Sequence, residues 1–120
     1  MTLSEAARNV AVDAVAALLD SGVIEFQTSG DVEVATCGFG ADAFEAASGG
    51  SATANEIAAD ESAAGGVIAK AVLKTSGAAV VATCTVGTSG ADFIFPSSAS
   101  MTLGAGDTLE ISSFTLSHAA

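Results

Sequence analysis

The chain has 120 residues, of which 50% are hydrophobic, and its 14 acidic and three basic residues give a formal net charge of −11. This length suits one domain, and the apolar fraction is too high for a disordered chain. Three cations are too few to neutralise a phosphate backbone or to hold a chain on an anionic membrane surface, so we expect no nucleic-acid and no membrane partner.

The first predicted element is a helix within residues 1–22. Thr2 and Glu5 have the spacing of a capping box, and Ser4 is an alternative N-cap. We expect Gly22 to end the helix in the left-handed conformation. Apolar side chains at helical spacing predict the buried face, which comprises Ala7, Val10, Ala11, Ala14, Val15 and Leu18.

After the helix, alternation of apolar and polar side chains predicts short strands separated by turns. Residues 40–50 predict a loop with at most one helical turn. A bulge is expected at Ser112 and Ser113, because the apolar parity changes between Ile111 and Phe114. The predicted strands occupy residues 23–29, 32–39, 51–59, 67–75, 78–86, 91–95, 100–103 and 108–117.

One helix followed by about seven or eight strands at regular spacing predicts a mainly β fold. We expect an antiparallel β-sandwich or a jelly-roll-like barrel in a single domain, 1–120. The N-terminal helix would occupy residues 1–22 and the β-sandwich residues 23–120. The helix is expected to lie along the outside of the sandwich or to reach a neighbouring subunit.

Motifs for chemistry are weak. The GTSG segment at 87–90 precedes a predicted strand and no lysine follows it, which indicates a connection between strands and not a phosphate-binding loop. His118 lies close to the C-terminus, where a general base is not held rigidly. We expect no enzyme activity, no cofactor and no organised pocket for a reaction.

Cys37 and Cys84 lie in alternating apolar runs, which predicts two buried free thiols, with a disulfide between neighbouring strands as the alternative. Zinc takes about four ligands, so two cysteines and one histidine predict no metal site. Glu5 stands where a signal peptide would carry positive charge, and polar residues interrupt every apolar window. We therefore expect synthesis in the cytoplasm, with no signal peptide and no transmembrane helix.

Four segments, in order, resemble a group of small virion proteins of tailed bacteriophages. Residues 52–63 (ATANEIAADESA), 86–95 (VGTSGADFIF) and 106–117 (GDTLEISSFTLS) are similar to segments of that group. Members of that group have an aromatic strand after the segment that corresponds to 52–63, whereas residues 67–74 (VIAKAVLK) of this chain have no aromatic residue. The opening matches S-x-A-A-R-N-x-x-x-D-A-x-x-x-L-x-D-x-G at Ser4, Ala6, Ala7, Arg8, Asn9, Asp13, Ala14, Leu18, Asp20 and Gly22.

This resemblance implies a virion component. We expect a capsid decoration (cement) protein on the outer surface of the phage head, made in the host cytoplasm, that stabilises contacts between capsomers. Its expected partners are the major capsid protein and further copies of this chain, in a homotrimer or another small oligomer. The alternative is a tail or fibre module that binds host-surface carbohydrate, although the chain has no Trp or Tyr to stack on sugars.

Two regions supply candidate contact residues. Val12 and Leu19 fall outside the predicted buried face of the helix, and alternation in 67–75 places two apolar residues and two lysines on one face. Leftover apolar side chains mark interfaces, and cations on an acidic protein favour acidic partners. Alternatively, the lysines keep an outer strand face solvated and protect a sheet edge. The predicted capsid or subunit contacts are Arg8, Asn9, Val12, Leu19, Ile68, Lys70, Val72 and Lys74.

Overall fold

The computed structural model describes residues 2–117. In this range the chain forms one helix, α1, at Glu5–Leu18, ten short strands, and a 3₁₀ helix at Ser98–Met101. The strands are β1 Val23–Gln27, β2 Glu33–Phe39, β3 Ser51–Thr53, β4 Ile57–Ala58, β5 Gly66–Val67, β6 Lys70–Lys74, β7 Val80–Gly87, β8 Phe93–Ile94, β9 Thr102–Leu103 and β10 Thr115–Ser117.

The central layer is a six-stranded sheet in the order β4-β2-β1-β6-β7-β8. All neighbours in it are antiparallel except β7 and β8, which are parallel. One face is covered by α1 and by two small sheets, β3–β10 and β5–β9, whose apolar side chains join a single core. The predicted mainly β, sandwich-like fold with an N-terminal helix is confirmed.

Three predicted strands are shorter or more broken than their alternation indicated. Residues 51–59 divide into β3 and β4, which belong to different sheets, and residues 67–75 divide into β5 and β6. Within residues 108–117, only β10 is a strand, and Glu110–Ser113 are irregular. The predicted bulge inside a continuous strand is therefore wrong, since Leu109 and Phe114 are both buried without one.

The ends of α1 differ in part from expectation. Ser4, the alternative cap, is the N-cap, and its Oγ accepts a hydrogen bond from the Ala7 N–H at 3.2 Å. At the other end Ser21, not Gly22, takes the left-handed conformation, with φ 58°. Gly22 is needed for a different reason, because a Cβ there would lie 2.3 Å from the carbonyl oxygen of Lys74.

The predicted buried face of α1 is wrong. Val10 and Leu18 are 69% and 54% exposed, whereas Val12, Ala16 and Leu19 are buried. Polar side chains fix this orientation. The Asn9 and Asp13 side chains accept hydrogen bonds from the backbone N–H groups of Gly50 and Ala47, and that of Asp20 accepts one from Ala43. These bonds turn the helix so that part of its apolar surface faces outward.

All six phenylalanines of the chain form one continuous series of ring contacts through the core. Neighbouring ring centres are 4.7–6.1 Å apart, within the range of favourable aromatic pairs. The series links β2 to β8 and to the segment before β10. Its order is Phe39, Phe44, Phe114, Phe93, Phe26 and Phe95.

The hairpins β1–β2 and β6–β7 have the same turn, which begins with Thr-Ser-Gly. Thr28 Oγ1 accepts hydrogen bonds from the N–H groups two and four residues later, each at 3.2 Å, and Thr75 Oγ1 does the same. The fourth turn residue is left-handed in both, with φ 68° at Asp31 and 67° at Ala78. Both hairpins then contain a register shift and the sequence Val-Ala-Thr-Cys.

These hairpins are related by an approximate twofold axis in the sheet. Strands β1 and β6 are antiparallel neighbours, and Glu25 pairs with Val72 at their midpoint. On either side, Ile24 pairs with Leu73 and Phe26 with Ala71. Glu25 therefore pairs with its own counterpart in the second hairpin, Ile24 pairs with the counterpart of Phe26, and Phe26 pairs with that of Ile24. This is the pattern of two hairpins joined symmetrically.

Candidate interaction groove

A groove of about 850 Å³ lies beside the last strands, lined by residues 92–96 on one side and residues 107–115 on the other. Its volume is in the range of ligand-binding pockets. Four phenylalanines and Leu109 line it and are buried, so its base is apolar: Phe26, Phe93, Phe95 and Phe114. The groove is a concave surface with an apolar base, and the expectation of no organised pocket for a reaction stays a prediction.

The first wall contains β8 and is fixed by Asp92. Its carboxylate accepts hydrogen bonds from the backbone N–H and the hydroxyl of Thr85, at 2.9 and 3.2 Å. The Asp92 N–H donates back to the Thr85 hydroxyl at 3.0 Å. The preceding GTSG segment is therefore a connection between β7 and the parallel β8, as the sequence predicted.

The second wall is held at both ends and is unpaired between them. Leu109 exchanges two backbone hydrogen bonds with Asp60, at 2.8 and 3.0 Å, and the Phe114 carbonyl accepts one from Ala54 at 2.8 Å. Between these points the backbone of Glu110–Ser113 makes no hydrogen bond to any residue of 2–117. The groove thus has one wall whose backbone groups are open to a partner or to solvent.

The groove is acidic. Asp92, Asp107 and Glu110 line it, and among residues 2–117 no Lys, Arg or His does. Asp107 accepts a hydrogen bond from the Gly104 N–H at 2.7 Å, whereas the Glu110 side chain has neither a hydrogen bond nor an ion pair within the described chain. The charge of Glu110 is therefore open to a cationic partner.

The two lysines predicted as contacts are engaged inside the chain. Lys70 is ion-paired with Asp31, and Lys74 with Glu25 at 3.1 Å. Burial raises the pKa of Glu25, but hydrogen bonds from Gln27 and Lys74 and the lysine charge outweigh it, so that the pKa lies below its usual value. Strand β6 is central in the sheet, so neither lysine protects a sheet edge.

Four predicted contact residues are not on the surface. Val12, Leu19, Ile68 and Val72 are between 0% and 5% exposed, so the premise that they are leftover apolar surface is wrong. Ile68 lies between β5 and β6, which belong to different sheets, and it is part of the core cluster. Val72 is also buried but is not part of that cluster.

Arg8 and Asn9 are half-buried, and both serve the fold. The Arg8 guanidinium donates to the Leu3 carbonyl at 2.8 Å, and the Asn9 side chain accepts from the Gly50 N–H at 2.8 Å. A capsid or subunit contact of Arg8 and Asn9 stays a prediction. The sequence reasoning missed the groove, whose walls lie in the predicted strands 91–95 and 108–117.

The two thiols are free and buried, as predicted. Cys37 on β2 and Cys84 on β7 are separated by two intervening strands, so they are at least about 14 Å apart and cannot form a disulfide. Burial raises the pKa of both thiols, that of Cys84 to about 11 with a further contribution from the nearby charge of Asp92.

Residues 2–117 bring together no group of three His, Cys, Asp or Glu side chains that could ligate a metal ion. The helix in the same range is too short and too polar to cross a membrane. His118 lies outside the described residues.

The fold and the groove define a mainly β, sandwich-like protein with an N-terminal helix and an acidic groove at one end of its central sheet. Protein-family models, curated proteins and solved structures were each compared with the chain, and none matches it.

Proposed function

We propose that this protein is a structural component of a bacteriophage virion, a capsid decoration (cement) protein that binds the outer surface of the head and stabilises contacts between capsomers. The observation that carries the proposal is the acidic groove with an apolar base, a surface suited to another protein. The ordered resemblance of four segments to small virion proteins supplies the context.

The construction of the chain supports this role. Its core of interlocking phenylalanines and the paired central hairpins make a rigid body, with extents of 44 × 29 × 24 Å. A rigid body that contacts two neighbouring capsomers resists their separation under the pressure of packaged DNA. The net charge of −11 keeps the outward surface of such a particle solvated and repels other particles.

The proposal includes self-association in a homotrimer or another small oligomer. The outward face of α1 supports it, because Val10, Ala14 and Leu18 are exposed there at helical spacing. Contiguous exposed apolar side chains are typical of interfaces between proteins. Substituting Val10 and Leu18 with serine should reduce the oligomer mass measured by light scattering and leave the circular dichroism spectrum unchanged.

The copy number per virion tests the function. We expect quantitative mass spectrometry of purified particles to give a copy number comparable to that of the major capsid protein. Particles that lack the protein should release their DNA at a lower temperature and regain stability when the purified chain is added back. A copy number as low as that of a tail-tip protein would favour the tail or fibre alternative and contradict the proposal.

A further inference from the structure

We infer that the groove binds an extended segment of a partner protein, which adds as a strand between β8 and Glu110–Ser113 and carries a Lys or Arg among alternating apolar side chains. This inference names the contact through which the proposed decoration protein would be attached. It rests on the proposed function only for the identity of the partner. Binding of an extended segment is tested with the isolated protein, without the virion.

The backbone of β8 offers one hydrogen-bonding edge. The Phe95 N–H donates to the Gly87 carbonyl at 2.8 Å, so the backbone N–H of Phe95 faces β7. Because alternate residues of a strand direct their backbone groups to opposite sides, the N–H and C=O of Ile94 face away from β7. β8 is the last strand of the six-stranded sheet, and Ile94 lines the groove.

The opposite wall offers a second edge. Four consecutive residues, Glu110–Ser113, line the groove and make no backbone hydrogen bond within residues 2–117. An extended segment placed in the groove would pair with β8 on one side and with these residues on the other. Addition of a strand to an exposed edge is a recurring mode of peptide recognition.

The side chains of the groove fit a strand with alternating character. Phe93, Phe95 and Phe114 are buried at its base, whereas Ile94 is 59% exposed and Ile111 is half-buried near its rim. Successive side chains of a strand point to opposite faces. Every second side chain of the bound segment would therefore contact the phenylalanines, and the others would face solvent and the acidic rim.

Charge determines which kind of partner fits. Within residues 2–117, three carboxylates line the groove and no cationic side chain does, so a segment with Lys or Arg complements it. A second copy of this chain is a poor occupant. Its Lys70 and Lys74 lie on the central strand β6, which already has a neighbour on each side, and Arg8 lies in α1. The structure thus points to a different, more basic protein.

Three synthetic hexapeptides test the inference with the isolated full-length protein. The first is acetyl-KVTVKV-amide, the second has glutamates in place of its lysines, and the third keeps the lysines but carries N-methyl groups on alternate backbone amides. Fluorescence anisotropy of labelled peptides measures binding. We expect the first to bind and the N-methylated form to bind about tenfold more weakly, because at least two hydrogen bonds are lost.

The N-methylated peptide is also the control for non-specific attraction to an acidic protein, since its charge is unchanged. The glutamate peptide should bind more weakly at low salt, and the difference should shrink as salt screens the charges. Equal binding of the first and third peptides, or no binding of the first, would overturn the inference.

Two variants locate the site. Glu110→Lys should weaken binding of the lysine peptide about fivefold to tenfold, whereas Glu56→Lys, an exposed charge reversal outside the groove, should leave it unchanged. Hydrogen exchange on the unaltered protein should show protection of the amides of Ile94 and of 111–113 when peptide is bound. Protection confined to other segments, or equal effects of the two variants, would overturn the groove as the site.

Failure here and failure of the proposed function are distinguishable. If the chain binds phage heads but not the first peptide, the strand-addition inference is wrong and the decoration function stands. If the first peptide binds as expected but the chain is scarce on particles, the groove is a strand-binding site and the decoration function is wrong.

Discussion

Replacing Phe93 with alanine tests whether the series of phenylalanine contacts is the centre of the fold. Phe93 is 6% exposed, and its ring centre lies 4.7 Å from that of Phe114 and 5.3 Å from that of Phe26. Loss of a buried phenylalanine side chain costs about 3–5 kcal/mol, a large share of the roughly 5–15 kcal/mol that stabilises a protein domain. With a urea m-value of about 2 kcal/mol per M, the unfolding midpoint should fall by about 2 M.

Far-UV circular dichroism is the appropriate assay, because the chain has no Trp or Tyr for intrinsic fluorescence. Ile94→Ala is the matched control, since Ile94 is the next residue of the same strand and its side chain is largely exposed. We expect that control to lose less than about 1 kcal/mol. Equal losses in the two variants would refute the assignment of Phe93 to the core.

Three further changes probe the backbone and the sheet surface. Gly22→Ala should lower the free energy of unfolding by more than about 2 kcal/mol, because the new Cβ would lie 2.3 Å from the carbonyl oxygen of Lys74. Gly40→Ala is the control. Its Cβ would have no atom within 4 Å, so the free energy of unfolding should change by less than about 0.5 kcal/mol. Ala78→Gly should raise the free energy of unfolding by about 0.5–1 kcal/mol, since it relieves a left-handed alanine at φ 67°; a loss in urea titration would contradict this. The pKa of Glu25 is lowered in the folded state. The contribution of its carboxylate to the free energy of unfolding is therefore complete above the usual pKa of about 4.5 and is lost as the pH falls through the lowered value. The stability of the natural chain should therefore fall more steeply with acid than that of Glu25→Gln, and parallel pH profiles would show that the pair with Lys74 contributes nothing.

The fold class was predictable because the hydrophobic period changes clearly after the helix. The orientation of the helix was not, because alanines make much of α1 weakly apolar and no single stripe dominates. Hydrogen bonds from the 43–50 segment to Asn9, Asp13 and Asp20 hold α1 with one particular side buried. Such long-range polar contacts leave no periodic signal in the sequence.

The repeated hairpin did leave a signal. Residues 28–37 and 75–84 share the pattern T-S-G-x-x-x-V-A-T-C, and the two copies have the same turn and the same register shift. The repeat predicts two similar hairpins, but it does not say which of their strands pair. The pairing of β1 with β6 puts Lys70 and Lys74 on a central strand and not at an edge.

The groove was harder to predict, because it depends on the lack of strand pairing at Glu110–Ser113. Alternation in 108–117 predicted a paired strand, yet only Thr115–Ser117 pair with β3. Leu109 and Phe114 are both buried in the core, and the backbone of the residues between them makes no hydrogen bond within residues 2–117. The hydrophobic pattern indicates which side chains are buried, but it does not indicate whether the backbone between them is hydrogen-bonded to a neighbouring strand.

An electron cryo-microscopy map of the intact virion tests the proposed function most directly. We expect density for a body of 44 × 29 × 24 Å at symmetry-related positions on the outer face of the capsid shell, with the side that carries β8 and Glu110–Ser113 against the shell. Density for this chain only at the tail, or only on the inner face of the shell, would contradict the assignment as a decoration protein.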